Sequence, residues 1–128
     1  MTIKHLTIPD AAEPQGPYSQ AVVADGPLLF VAAQGPFGAD GTVVEGGFAA
    51  QARQTFDNIR RILEGAGSGL DRVVRVSVYL ADMANAPEMN RLYEATFPAP
   101  RPVRTFLPIG FAQFDIVVDV IATVDPTP

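Results

Sequence analysis

The chain has 128 residues, which is enough for one domain and leaves no room for a second full core. With 48% hydrophobic and 18% charged residues, it has the composition of a chain that folds unaided. The net charge of −5 disfavours nucleic acid as a partner, and the absence of cysteine excludes disulfides, thiolate nucleophiles and zinc–thiolate sites.

Short extended stretches separated by turns make up the first third of the chain. Residues 18–24 and 28–33 are predicted strands, and Asp25-Gly26-Pro27 between them has the composition of a hairpin connection. A second turn is predicted at Ala39-Asp40-Gly41. The two strands are therefore expected to pair with each other.

An amphipathic helix is predicted over residues 48–64, where apolar residues recur three or four positions apart. Its predicted inner face consists of Phe48, Ala52, Phe56, Ile59 and Leu63. The helix should end at Gly65, Gly67 and Gly69, because glycine is common just beyond the last helical turn. Since this glycine run follows a helix instead of opening one, it predicts a helix end and not a phosphate-binding loop.

A strand and a second helix follow. Residues 72–80 alternate in the way that a half-buried strand does. Asn85, with Pro87 in the first turn and Glu88 three residues after it, is the expected N-cap of a helix. The predicted inner face of that helix consists of Met89, Leu92, Tyr93, Thr96 and Phe97. A proline-rich loop at residues 98–102 should end it.

The last part of the chain is predicted to be extended over residues 103–109 and to form a long strand over residues 114–124. Alternate residues of this strand are apolar, and its other face consists of Val117, Asp119, Ile121 and Thr123. Two helices can cover only one face of a sheet, so a second apolar face needs another subunit to bury it. The predicted fold is α+β, a mixed β-sheet packed against two α-helices in an oligomer.

Two arginines occur where the proline-rich loop becomes a strand, in Pro-Arg-Pro-Val-Arg-Thr at residues 100–105. Prolines stiffen this junction, so Arg101 and Arg104 should be held more rigidly than arginines on a helix face. A fixed guanidinium suits bidentate capture of a ligand carboxylate, and it also suits a structural ion pair. From spacing alone, both roles stay open.

Five short motifs are spread over about residues 13–122. They are Gly16-Pro17-Tyr18-Ser19-Gln20-Ala21, Phe30-Val31-Ala32-Ala33-Gln34-Gly35-Pro36, Ala50-Gln51-Ala52-Arg53-Gln54-Thr55-Phe56-Asp57-Asn58-Ile59, Asn90-Arg91-Leu92-Tyr93-Glu94-Ala95-Thr96-Phe97 and Pro102-Val103-Arg104-Thr105. Each motif is weak by itself. Together, in this order and approximate spacing, they resemble the RidA (YjgF/YER057c) family, and the chain is identified as a member of it.

The resemblance implies a single RidA-like domain over residues 1–128, chorismate mutase-like in fold and trimeric, with a ligand cleft at each subunit interface of the homotrimer. It implies hydrolysis of reactive enamines and imines, such as 2-aminoacrylate and 2-iminopropionate, to a 2-oxo acid and ammonia. No metal or organic cofactor is expected. The expected partner is a small-molecule substrate with a carboxylate.

The resemblance also assigns roles to residues of this chain. It implies that Arg104 grips the substrate carboxylate and that Tyr18 lines the cleft, so these two are the expected catalytic residues. Three more residues are expected at the rim of the cleft or beside the substrate, namely Asn90, Thr105 and Phe106. Arg101 competes for the role of the gripping arginine, but the pattern Pro-x-Arg-Thr leading into a strand favours Arg104.

The chain departs from the family's pattern at two positions expected to contact substrate. Ala32 stands where the family usually has a serine, and Val117 stands where the last strand usually has a glutamate that positions the attacking water. The loop at residues 110–115 is shorter than usual, so Asp115 or Asp119 can replace that glutamate. The carboxylate clamp is expected to be kept and the water-handling group to be lost.

These observations leave several functions open. The first is a cofactor-independent imine/enamine deaminase, a hydrolase acting on C=N bonds. The alternatives are a diverged enzyme that acts on a more apolar substrate in a specialised pathway, and a non-catalytic metabolite-binding trimer. The acidic charge disfavours a ribonuclease. Because no signal-peptide pattern and no apolar run of about 18 residues occur, a cytoplasmic protein without a membrane partner is predicted.

Overall fold

The computed structural model describes residues 2–110 and 113–125. In chain order its strands and α-helices are β1 Ile3–Leu6, β2 Ala21–Ala24, β3 Leu28–Gln34, α1 Gly47–Gly65, β4 Val73–Leu80, α2 Ala86–Thr96, β5 Val103–Pro108 and β6 Ile116–Thr123. The predicted α+β class is confirmed. Within these described ranges, neither helix is long and apolar enough to cross a membrane.

Four of the strands form one sheet in the order β3-β6-β4-β5. β4 and β5 are parallel, whereas β6 is antiparallel to both of its neighbours, so the predicted mixed sheet is confirmed. A parallel pair needs a crossover connection, and α2 provides it between β4 and β5. β5 is an edge strand of this sheet, and it directly follows α2 and the proline-rich loop.

The predicted hairpin between residues 18–24 and 28–33 is wrong. β2 pairs with β1 in a separate two-stranded sheet, and β3 pairs with β6 instead. The chain does bend at Gly26, whose φ of 90° favours glycine. The composition of a turn indicates a change of direction but does not specify which strand becomes the partner. Here the N-terminal strand, which was not predicted, pairs with β2.

α1 confirms the first predicted helix. Its buried residues are Ala52, Thr55, Phe56, Ile59 and Leu63. The helix ends at glycine, as expected: Gly67 has a φ of 83°, and the amide of Ser68 donates to the carbonyl oxygen of Leu63 at 2.8 Å. The 3.6-residue period and the terminating glycines therefore predicted both the face and the end of α1.

The N-cap of α2 differs from the prediction. Asn85 already has helical backbone angles (φ −81°, ψ 0°), and its side chain makes no capping hydrogen bond. A short 3₁₀ turn, Met83–Asn85, leads directly into the helix, and Asp82 caps that turn by accepting from the amide of Ala84 at 2.9 Å. The capping residue therefore lies three positions earlier than predicted.

The hydrophobic core lies between the four-stranded sheet and the two helices. From the last strand it receives Ile116, Val118, Val120 and Ala122, each at most 1% exposed, as the alternation of β6 predicts. From the second helix it receives Met89, Leu92 and Tyr93. The two central strands, β4 and β6, are therefore fully packed on the side of the sheet that faces the helices.

The other side of the sheet, which we call the outer face, is covered by neither helix. Phe30 on β3 is 70% exposed and Leu107 on β5 is 50% exposed, while Val117 and Ile121 on β6 are half-buried. The second apolar face that the sequence predicts is present. The homotrimer that would cover it stays a prediction.

Candidate functional site

Arg104 lies on β5, and its side chain projects on the helix side of the sheet. Its partner in the parallel register is Val76 of β4, which is completely buried in the core, so the two side chains share that side. Because β5 is an edge strand, Arg104 lies at the rim of the core and is half-buried. β5 therefore positions a cationic side chain where the hydrophobic core meets solvent.

Three aromatic rings and one amide surround the guanidinium of Arg104. Its central carbon lies 4.8 Å from the ring centre of Tyr93, 4.9 Å from that of Phe106 and 5.6 Å from that of Tyr18. These distances allow favourable cation–π contacts. Nη1 donates to Oδ1 of Asn90 at 2.6 Å. We call these five residues the Arg104 cluster.

Arg104 has no carboxylate partner among the residues that the structure describes. Its Nε is buried and lacks any hydrogen-bond partner there. Burial lowers the pKa of Arg104, and Tyr93, Tyr18 and the carboxylate of Glu94, which forms no salt bridge with it among the described residues, oppose that shift. Since arginine nevertheless keeps its charge at neutral pH, the cluster contains a partly desolvated cation. An anionic ligand would compensate both the charge and the unpaired donor.

Arg101 has a different environment. Its Nε donates to the carbonyl oxygen of Phe97 at 3.0 Å, and its Nη2 donates to that of Glu94 at 3.3 Å. These are carbonyl groups at the C-terminal end of α2, where a cation is favourable. Its printed hydrogen bonds therefore make Arg101 a helix-terminating residue, and Arg104 remains the arginine available to a ligand.

A loop that contains Gly16 and Tyr18 lies over the guanidinium of Arg104. The loop is anchored at Ser19, whose amide donates to the carbonyl oxygen of Pro102 at 3.1 Å and whose hydroxyl donates to that of Arg101. A Cβ added to Gly16 would lie 3.1 Å from Nη2 of Arg104. A side chain at position 16 would crowd the guanidinium, so glycine favours this close approach of the backbone.

The structure brings together four of the seven residues predicted for the site and separates the other three. Tyr18, Asn90, Arg104 and Phe106 are members of the Arg104 cluster. Thr105 is exposed on the outer face, because successive residues of a strand point to opposite sides. Val117 is opposite Tyr79 on that same face, and Ala32 is exposed on β3 at the far edge of the sheet.

The two aspartates considered as substitutes for the missing glutamate also lie outside the Arg104 cluster. Asp119 is opposite Ser77 on the outer face, two residues along β6 from Val117. The backbone amide of Asp115 donates to Oε1 of Gln51 on α1 at 2.7 Å. Within residues 2–110 and 113–125, no group of three or more His, Asp or Glu side chains is placed to hold a metal ion.

Sequence reasoning missed two members of the site. Tyr93 was assigned to the inner face of α2, where it does lie, but it also contacts the guanidinium. The signal was its position three residues after Asn90, which places both on one helix face. Gly16 occurs in the first motif, but its role depends on the distance to Arg104, and no local pattern encodes that distance.

A cavity of about 280 Å³ adjoins the cluster through Tyr18. Its wall also includes His5, Pro14, Ser19 and Arg101. Two residues of β1, His5 and Leu6, are part of its wall. It provides open space next to the loop that covers Arg104.

A model of the family described as Endoribonuclease L-PSP matches residues 8–124 of the chain. A RutC family protein from Pyrococcus horikoshii is 39% identical over 114 residues, which are 88% of this chain and 90% of the relative. The mitochondrial protein MMF1 from Saccharomyces cerevisiae is 37% identical over 102 residues, which are 80% of this chain and 68% of the relative.

Solved structures of Rid-family proteins are also similar to this chain. A protein of unknown function from the conserved Rid protein family of Yersinia pestis has a TM-score of 0.86 at 25% identity, with 97% of this chain and 100% of that chain covered. RidA from an Antarctic Psychrobacter species has a TM-score of 0.72 at 29% identity, with 94% and 99% covered. Both likenesses extend over nearly all of the chain.

Proposed function

Because the chain belongs to the endoribonuclease L-PSP family, which includes the Rid and RutC proteins, we propose that it hydrolyses small 2-imino acids to 2-oxo acids and ammonia. The proposed substrates are of the 2-aminoacrylate/2-iminopropionate type. The observation that carries the proposal is the guanidinium of Arg104, which is half-buried among aromatic rings and has no carboxylate partner in the described residues.

The Arg104 cluster suits a small, planar, anionic ligand. The guanidinium supplies the charge and paired donors that a carboxylate prefers. The rings of Tyr18 and Phe106 exclude water from one carboxylate group and offer flat apolar surfaces to a conjugated C=N unit. The cluster would therefore hold the carboxylate end of the substrate. The position of the reactive C=N carbon would follow from the orientation in which the carboxylate is held.

The reaction itself requires little from the protein. Water adds to the electrophilic C=N carbon of 2-iminopropionate, the resulting carbinolamine expels ammonia, and pyruvate remains. Holding the substrate in one orientation lowers the entropic part of this barrier. A general base would add about 10²- to 10⁴-fold, and none of the five residues of the Arg104 cluster carries a carboxylate. We therefore propose slow turnover in this chain.

We also propose that the protein acts as a homotrimer with its sites at subunit interfaces. The exposed apolar residues of the outer face support this, because they are left uncovered in a single copy. In such an assembly, outer-face residues of one copy can approach the Arg104 cluster of another. The single domain over residues 1–128 and the cytoplasmic location stay predictions.

An imine-trapping assay tests the proposed activity. An amino-acid oxidase generates 2-imino acids, and semicarbazide captures those that have not been hydrolysed. The wild-type protein should lower the amount captured, and Arg104→Ala should lose this effect because substrate binding weakens by about 1.5 to 3 kcal/mol. Arg104→Lys should rescue poorly, since an ammonium group lacks the planar fork of donors.

The control for this assay is Arg91→Ala. Arg91 is on the same helix as Asn90, but its guanidinium is exposed and bonded to Glu88 at 2.7 Å. Its removal should leave hydrolysis unchanged. Wild-type protein that does not reduce semicarbazide capture at any concentration, although it binds 2-oxo acids, would rule out the deaminase.

That last outcome would favour one of two alternatives on the same scaffold. The first is an enzyme for a more apolar substrate, which Ala32 and Val117 favour because they replace polar groups with aliphatic ones. The second is a trimer that binds metabolites without catalysis. Affinities for a series of 2-oxo acids with longer side chains distinguish them, because only the first should bind the longer acids more tightly.

Ribonuclease activity, which the name of the family suggests, is not part of the proposal. Binding of a phosphate backbone needs a basic surface, and this chain carries a net charge of −5. On α1, Arg60 and Arg61 both form ion pairs with Asp57, which reduces the cationic character of that surface.

A further inference from the structure

Two buried donors without partners occur at one place in the molecule. Among the described residues, Nε of Arg104 and the hydroxyl of Tyr93 are each inaccessible to solvent and lack a hydrogen bond. The guanidinium carbon of Arg104 lies 4.8 Å from the centre of the Tyr93 ring. Since buried polar groups are normally satisfied, two unsatisfied donors in contacting side chains favour an acceptor that both can share.

The ring of Tyr93 is held in place by its neighbours. It lies 4.6 Å from the ring of Phe97 and 6.2 Å from that of Phe56, and the residue is completely buried. A phenylalanine would fill this space equally well and would bury no hydroxyl. The hydroxyl therefore adds nothing to the packing, and leaving it unpaired lowers the stability of the free protein.

The contacts of the other two guanidinium nitrogens of Arg104 indicate which edge of the group a ligand can bind. Nη1 is bonded to Asn90, whereas Nη2 faces the backbone of Gly16. The Nε–Nη2 edge is thus the one left for a ligand, and it is the edge that Gly16 keeps free of a side chain. A carboxylate that binds this edge meets the donor geometry that arginine offers for bidentate contacts.

The loop over this edge is attached in a way that permits access. The hydrogen bonds that the structure gives to Gln15, Gly16 and Tyr18 stay within the loop: Gln15 donates from its amide to the Tyr18 hydroxyl at 3.1 Å and from its side chain to the Glu13 carbonyl, and Tyr18 donates to the Gly16 carbonyl. Residues 15–18 can therefore move away from Arg104 while the hydrogen bonds that anchor Ser19 to Pro102 and Arg101 stay in place.

We propose that Tyr93 is a ligand-binding residue, whose hydroxyl and the Nε of Arg104 donate to the same carboxylate of the bound 2-imino or 2-oxo acid. This inference rests on the proposed function, because it presumes that ligand class. Burial raises the pKa of Tyr93 far above its ordinary value, so the hydroxyl keeps its proton and remains a donor at physiological pH. The two donors of this pair arise from α2 and β5, the elements that flank the proline-rich loop.

Tyr93→Phe tests this role, because it removes the hydroxyl alone. Calorimetric titration with pyruvate, a stable 2-oxo acid, should give an affinity about ten- to a hundredfold lower than that of the wild-type protein. Without pyruvate, the variant should unfold at the same temperature as the wild type or at a higher one. An unchanged or higher unfolding temperature together with a lower pyruvate affinity is not expected if Tyr93 has only a structural role.

Thr123→Val is the matched control. Thr123 is also completely buried, and its hydroxyl also lacks a partner among the described residues. It pairs with Leu28 of β3, at the edge of the sheet opposite to β5. Its replacement should likewise preserve or raise the unfolding temperature, but it should leave pyruvate affinity unchanged.

The outcomes separate this inference from the proposed function. If the wild type binds pyruvate and Tyr93→Phe binds it equally well, Tyr93 is not a ligand-binding residue and the proposed function stands. A clear drop in the unfolding temperature of Tyr93→Phe would also overturn the inference, because the hydroxyl would then have a partner within the protein. If the wild type binds no 2-oxo acid, the proposed function fails and the inference fails with it.

Discussion

The two sides of strand β5 differ in how much of a site a single chain can build. On the helix side, Arg104 and Phe106 meet side chains from α2 and from the loop that contains Tyr18. On the outer side, Thr105 and Leu107 are exposed. One copy therefore contains a nearly complete anion site, whereas the other surface depends on whatever covers it.

The residues expected to bind the substrate carboxylate and those expected to handle the attacking water lie on different parts of the sheet. The residues expected to hold the carboxylate lie together on the helix side, while Ala32 and Val117, the positions expected to handle water, lie elsewhere on the sheet. The strand order puts two strands between β3 and β5, which corresponds to roughly 14 Å at the usual spacing. Affinity and turnover should therefore respond to different substitutions.

The largest expected effect concerns assembly. Light scattering of the wild-type protein should give about three times the chain mass of 13.6 kDa. Phe30→Asp should dissociate it into monomers, because each copy would then bury a charge where an aromatic ring contributed about 1.5 to 3 kcal/mol. Ile62→Asp on α1, which is also an exposed apolar residue, should leave the mass unchanged.

A stable wild-type monomer at micromolar concentration would contradict the trimer and the sites proposed at its interfaces. A trimer that survives Phe30→Asp but not Ile62→Asp would move the interface from the outer face to the helices. In either case the outer side of β5 would remain open to solvent. It would then not be a surface that another copy completes.

The next effect concerns turnover. Val117→Glu, combined with Ala32→Ser, should raise hydrolysis of 2-iminopropionate at least tenfold, since a positioned base contributes about 10²- to 10⁴-fold. Val117 is half-buried, so the new carboxyl should have a raised pKa, and the gain should increase with pH as that carboxyl ionises. Circular dichroism and light scattering check that the variant folds and assembles.

Rapid wild-type turnover would contradict this prediction, provided that Asp115→Asn and Asp119→Asn leave it undiminished. It would mean that orientation by the Arg104 cluster is sufficient and that no carboxylate base is needed. If either aspartate variant instead loses activity, that aspartate has taken the place of the missing glutamate.

The smallest effect distinguishes the two arginines of the proline-rich junction. Arg101→Ala removes two hydrogen bonds to carbonyl groups at the end of α2, which should lower the free energy of unfolding by about 1 kcal/mol in urea titrations. Its pyruvate affinity should stay at the wild-type value. Loss of pyruvate binding in Arg101→Ala but not in Arg104→Ala would reverse the two assignments.

Sequence patterns predicted the features that depend on nearby residues. The period of residues 48–64 and the alternation of residues 114–124 correspond to α1 and β6, because burial of one face imposes a regular spacing. The pairing of β2 with β1 escaped prediction, since hydrogen bonding between strands depends on partners far apart in the chain. The capping residue of α2 was also predicted wrongly, because a 3₁₀ turn precedes the helix and Asp82 caps that turn.

The candidate site shows the same limit. The motif around Arg104 left a carboxylate clamp and a structural ion pair open, and the family resemblance implied the clamp; the contact with Asn90 brings two of the predicted residues together. The separation of Thr105 from Arg104 follows from the alternation of a strand, yet it matters only once β5 is known to be an edge. The contact of Tyr93 with Arg104 joins two elements, and no pattern within either of them predicts it.

Prolines mark both ends of β5, and this has a consequence for how copies of the chain can associate. Pro102 precedes the strand and Pro108 is its last residue, and neither has an amide hydrogen to offer to an added strand. Edge strands protected in this way resist continuous growth by strand addition. Strand addition at this edge is therefore disfavoured, whereas the outer face, which the proposed homotrimer would cover, carries no such block.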